Sequence, residues 1–105
     1  MVKGTVRPKV VAIKCGVRKC GVSRPLILVK TGDWVKFYNP TPDWIYIQFS
    51  DNSLFPARPF KIASGRHKTL RVRRARRGIY PYAVFCAHHS RFCTASSMPI
   101  IIVPR

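Results

Sequence analysis

The chain predicts an all-β sandwich of seven or eight short strands, and three observations carry that prediction. Apolar and polar residues alternate over strand-length runs, most cleanly where Tyr80, Tyr82, Val84 and Cys86 recur at period two. Nine Pro and six Gly interrupt these runs at short intervals. No helical apolar period is sustained over a useful length. With 105 residues there is room for one domain and one core, and six Phe, four Tyr and two Trp supply the bulk to fill it.

The elements follow in order. A basic N-terminal segment leads into a strand around Val10 to Ile13. Cys15 to Ser23 holds two glycines and two cysteines and reads as a turn-rich loop, so residues 1–24 form a basic strand and a Cys-containing loop. Pro25 to Lys30 is a strand, Thr31-Gly-Asp33 a tight turn, and Trp34 to Tyr38 the next strand. The prolines of Asn39 to Asp43 break the pattern, and Trp44 to Phe49 resumes it. Asp51 to Pro59 is expected to be largely loop. Phe60 to Ala63 and Lys68 to Arg74 are strands around a Ser64-Gly65 turn. Gly78 opens the segment Ile79 to Cys86, a loop with His88, His89 and Cys93 follows, and Met98 to Val103 closes the chain.

Charge is the abnormal quantity. Twenty Lys and Arg face three acids, Asp33, Asp43 and Asp51, for a formal net charge of +17. Such an imbalance stores self-repulsion unless counter-charges bind, and points to a polyanionic partner: nucleic acid, an acidic protein surface or an anionic membrane. The alternative is a solvated basic surface. No run is long enough to span a bilayer. No apolar run of signal-peptide length follows Met1, so the expectation is a chain that stays in the compartment where it is made, if Met1 is the native start. Four cysteines fit two disulfides or one metal site equally well.

Several phrases resemble a known family. Leu28-Val-Lys-Thr-Gly-Asp33-Trp-Val-Lys-Phe-Tyr-Asn39 is similar to the strand–turn–strand hallmark of cupredoxins. Phe60 to Gly65 with Leu70-Arg-Val72, then Gly78 to His89, then Met98 to Val103 resemble that family's later strands and copper loop, in the family's order. The last phrase is also similar to the end of the copper domain of cytochrome oxidase subunit two. The resemblance spans residues 25–103 and implies a cupredoxin-like Greek-key sandwich.

The resemblance also implies a copper site, and here the chain departs from the pattern. The family's mononuclear centre takes a His from mid-chain, then Cys, His and usually an axial Met from the last loop. Cys86 and His89 match the Cys-x-x-His spacing, and Met98 lies farther along than usual. The stretch matching the upstream ligand, Asp43-Trp-Ile-Tyr46, contains no His; Asp43 or His88 is the available substitute, giving a non-blue geometry. The family's architecture also brings the first and last loops to one end, which would gather Cys15, Cys20, Cys86 and Cys93, with His88 and His89 alongside, for tetrahedral zinc. Disulfides and inert buried thiols are the plain alternatives.

Arg66 to Arg77 supplies the basic face. Arg66, Lys68, Arg71, Arg73, Arg74, Arg76 and Arg77 form a candidate polyanion-binding ridge, with Arg71 and Arg73 outward while Leu70 and Val72 point in. Trp34, Tyr46 and Phe92 could offer stacking surfaces, but core packing is the expected fate of each. The three scattered carboxylates give catalysis little support. The first functional expectation is therefore a non-catalytic module docking on nucleic acid or on an acidic surface in a larger complex. The second is a copper-binding electron-transfer protein with an atypical site, its charge steering it to an acidic partner. A small barrel of another type would keep the first expectation and discard the metal loop.

Overall fold

The computed structural model describes residues 8–15, 20–50, 54–55, 59–73, 76–87, 91–92 and 99–104, with the side chains of Cys15, Cys20, Arg91 and Phe92 outside that description. The strands are β1 (Lys9–Cys15), β2 (Cys20–Val22), β3 (Leu26–Leu28), β4 (Trp34–Tyr38), β5 (Ile45–Phe49), β6 (Phe60–Ile62), β7 (His67–Arg71), β8 (Gly78–Cys86), β9 (Arg91–Phe92) and β10 (Ile100–Val103). One sheet has the order β2-β1-β4-β7; the other runs β3-β10-β8-β5-β6, with β9 added beside β8. Two pairings are parallel, β1 with β4 and β10 with β3, which requires the chain to cross between sheets rather than meander within one. No α-helix occurs among the described residues.

Alternation explains the sandwich. Val11 and Ile13 of β1, Val35 and Phe37 of β4, Ile45, Ile47 and Phe49 of β5, and Ile101 and Val103 of β10 are all buried between the sheets. On β8 the buried set is Tyr80, Tyr82, Val84 and Cys86, as period two requires. Phe37, Phe49 and Tyr82 pack edge-on or tilted at centroid distances of 5.4–6.0 Å, the arrangement favoured by ring quadrupoles. Phe55 joins this cluster 5.0 Å from Phe49.

Two expectations are corrected, and the expected Asp51–Pro59 loop contributes two core residues. The first loop is partly a hairpin: β2 pairs with β1, and the Ser23 N–H donates to the Ala12 carbonyl while Ser23 Oγ accepts from the Ala12 N–H. Leu54 and Phe55 lie in the core, although prolines surround them, because the aromatic cluster needs a lid there. Strand β7 stops at Arg71 rather than Arg74. Beyond it the Val72 N–H donates to the Asp33 carbonyl, the Gly32 N–H to the Val72 carbonyl, and the Arg73 N–H to the Leu54 carbonyl. The chain thus leaves the ladder to close upon the Thr31–Asp33 turn. Gly32 sits there at φ 95°, a left-handed conformation that residues with a Cβ adopt only at a cost of about 1–2 kcal/mol.

The two ends of the sandwich are now distinct. At the head, Asn39 at the end of β4 meets the start of β5, the end of β6 and the last residue of β8. At the foot lie the Thr31–Asp33 turn, the starts of β4 and β8 and the ends of β7 and β10.

One group breaks the rule that buried polar atoms are paired. The Tyr82 hydroxyl is buried among apolar neighbours and finds no hydrogen-bond partner among the described residues. Burial also pushes its ionisation well above the usual tyrosine value near 10. The native state therefore holds this proton where the unfolded chain would lose it, so stability is intact below pH ~10 and falls as pH rises beyond that. Tyr82→Phe is expected to leave stability equal or raise it by about 1 kcal/mol at neutral pH, and to flatten the loss above pH ~10; chemical denaturation at pH 7 and 11 checks both.

Candidate metal centre and basic surface

Cys86 is the last residue of β8, where alternation aims it inward, and it is fully buried. Across the ladder its partner on β5 is Ile45, also fully buried and facing the same core. An apolar branched side chain therefore stands on the rung opposite the sulfur. Cys86 is disulfide-bonded. A sulfur so bonded is not a thiolate and ligates no metal until it is reduced.

The rest of the head is held by Asn39. Its Nδ2 donates to the carbonyls of Asp43 and Ile62, both at 2.8 Å, and its Oδ1 accepts from the N–H and hydroxyl of Thr41 at 2.9 and 2.6 Å. Asp43, the substitute oxygen ligand, spends Oδ1 on the Trp44 N–H. Trp44 leans on Phe85 at 6.0 Å, with Lys61 Nζ 4.8 Å from its ring.

His88, His89, Cys93 and Met98 lie outside the described residues. The backbones of Cys15 and Cys20 face each other as partners on the β1–β2 ladder, and parallel pairing of β1 with β4 carries that rung to the head, the end that holds Cys86. His67 is exposed on β7 and sits opposite Tyr38. Among the described residues no three His, Cys, Asp or Glu side chains are gathered to hold a metal ion. Tetrahedral zinc on four thiolates does not fit, because the Cys86 sulfur is already bonded. No imidazole stands on the rung facing Cys86, because Ile45 occupies it.

The basic residues do not form the single ridge expected of them. Arg66 is at the head, where its carbonyl accepts from the Asn39 N–H. Lys68 reaches the opposite side of β7 and places Nζ 5.5 Å from the Phe60 ring. Arg71 and Arg73 are at the foot, exposed, while Val72 between them is buried as expected. Arg76 and Arg77 lead into β8 at the same end, and the Tyr80 hydroxyl fixes that approach by donating to the Arg76 carbonyl at 2.6 Å. Arg74 lies outside the described residues, as does the side chain of Phe92. Tyr46 is half-buried on the outer face of β5. Trp34 is 38 % exposed rather than core, with the Arg71 guanidinium 5.8 Å from its ring. These two and Arg73, Thr31 and Gly32 border a surface depression of about 510 Å³. The sequence signal for this pairing was the alternation of β4, which puts Trp34 on the face opposite Val35.

No family model matches the chain, and no curated protein matches it by sequence. Solved structures do. Amicyanin from Paracoccus versutus superimposes with a TM-score of 0.61 at 18 % identity, over 95 % of this chain and 84 % of that one. A proline-to-glycine variant of amicyanin in its reduced Cu(I) form gives 0.58 at 21 % identity, over 98 % and 85 %. A methionine-to-alanine variant, also Cu(I), gives 0.58 at 20 %, over 91 % and 81 %. Amicyanin is a cupredoxin, and this chain has a cupredoxin-like β-sandwich fold. The comparison corrects the first functional expectation: these neighbours are copper electron-transfer proteins, which agrees with the second expectation and not with a polyanion-docking module.

The rung opposite Cys86 is testable. In reduced protein, Ile45→His adds an imidazole across from the thiolate and is expected to produce a thiolate-to-copper(II) absorption band several-fold stronger than wild type. Titration with Cu(II) under anaerobic conditions measures it; spectra identical to wild type would show that position 45 does not face the centre.

Proposed function

We propose that this domain is a copper-binding electron-transfer protein of cupredoxin type, with an atypical centre that forms when Cys86 is reduced. The observation that carries the reading is the position of Cys86, buried at the head end of β8 in a sandwich that superimposes on amicyanin. Three residues on in sequence, His89 supplies an imidazole, and Met98 a thioether. With Ile45 in place of an upstream imidazole, the donors are thiolate, imidazole and thioether, a soft and low-coordinate set that favours Cu(I). Copper held there would supply a one-electron couple. The chain's own contribution is to bury the sulfur, keep bulk water from it, and present it at one tip of a rigid frame. The +17 charge would speed encounters with an acidic redox partner, in a manner that weakens with salt.

The experiment is a competition between fully reduced protein and a chromophoric Cu(I) chelator in the absence of oxygen. The reading expects one copper per chain, loss of binding by more than tenfold in Cys86→Ser, and no binding by the oxidised protein. Equal copper retention by Cys86→Ser, or none by the reduced wild type, contradicts it.

A further inference from the structure

We infer that the foot of the sandwich is a docking surface for an anionic lipid bilayer. Two kinds of side chain meet there that a solvated surface keeps apart. Leu28 on β3 and Ile79 on β8 flank Ile102 on the outer face of their sheet, and they are 52 % and 65 % exposed. Leu26, 51 % exposed, continues that apolar strip along the sheet edge. Trp34 projects at the same end from the other sheet. These are among the largest exposed apolar groups described, and they surround one end of the long molecule.

Cations surround them. Lys30 shares a depression with Leu28, Lys9 and Pro104, and Arg71 and Arg73 share the neighbouring one with Trp34. The two depressions lie on either side of the Thr31–Asp33 turn. Arg76 and Arg77 directly precede Gly78 and Ile79. The acid described at this end, Asp33, has its carboxylate turned back to accept the Lys30 N–H at 3.0 Å. Asp33 also borders the depression of Lys30, but the cations at this end outnumber it, so the foot presents net positive charge around apolar tips.

That combination matches a membrane surface. Apolar and aromatic tips partition into the headgroup–acyl boundary, and Lys and Arg extend long stems toward anionic headgroups. A Trp at such a boundary keeps an apolar ring in the lipid and a polar edge in water. A nucleic acid would account for the arginines but would leave Leu28 and Ile79 in water. The foot is separated from Cys86 by the nine residues of β8, about 27 Å, so a domain seated on it would point its head away from the bilayer. This inference is independent of copper.

Sedimentation with phosphatidylcholine vesicles, with and without about a third phosphatidylglycerol, tests it, using the full chain in low and high salt. The expected results are binding at least tenfold stronger to the anionic vesicles, a blue shift of tryptophan emission that Trp34→Phe removes, and a severalfold loss of binding in the exposed-site pair Leu28→Ser and Ile79→Ser. Circular dichroism of that pair confirms folding, and the single variants stand in if it fails. Unchanged binding by the serine variants would mean charge attraction alone and overturn the inference. So would stronger binding to polyglutamate than to vesicles of equal charge, or no preference for anionic lipid.

Discussion

The carboxamide of Asn39 ties the head of this sandwich together. It is fully buried, and each of its polar atoms makes two hydrogen bonds: two carbonyls accept from Nδ2 and two Thr41 donors reach Oδ1. Because Asn39 directly follows a strand of one sheet and the Ile62 carbonyl belongs to the other, the bond between them ties the two sheets together at that end. The backbone adds to this, with the Asn39 N–H donating to the Arg66 carbonyl and its own carbonyl accepting from Gly65. A buried network satisfied at every atom specifies one arrangement, since any slip leaves several buried groups unpaired at about 1–3 kcal/mol each. The network places the start of β5 against β6, and the β5–β8 ladder then sets Ile45 against Cys86.

That frame delivers a sulfur but no facing imidazole. In a sandwich of this kind the metal chemistry belongs to the residues at the tip and not to the fold, and the tip here differs in two respects. Ile45 fills the rung opposite Cys86, and Cys86 itself is disulfide-bonded. In the proposed reading, the thiol-to-disulfide state of Cys86 governs whether its sulfur can take a metal. The charge distribution has its own logic. The inner faces are apolar, so the described cations occupy the outer faces, the edges and the two ends, where water and counter-ions screen them.

Much of the fold was legible because period-two alternation leaves a clear mark. Tyr80 to Cys86 and Trp34 to Tyr38 could be read directly, and the buried and exposed sides came out as read. Strand ends were less legible, since they depend on contacts distant in sequence: β7 ends at Arg71 because Val72 bonds to Asp33, a partner that no local pattern indicates. Leu54 and Phe55 were missed because the neighbouring prolines argue for loop, while their burial is decided by Phe49 on another strand. At the site, the spacing of Cys86 and His89 and the lack of a histidine near Asp43 were visible in the chain. The register that puts Ile45 opposite the sulfur was not, and neither was the disulfide. The basic run was conspicuous, yet its division between two ends depends on where β7 stops.

The central claim is that reduced Cys86 anchors copper without two imidazoles. X-ray absorption at the copper edge of reduced, copper-loaded protein tests it most directly. The account predicts an edge typical of Cu(I) and a first shell dominated by sulfur, with a single imidazole scattering pattern. A shell of nitrogen and oxygen alone, or one with two or more imidazoles, would contradict it.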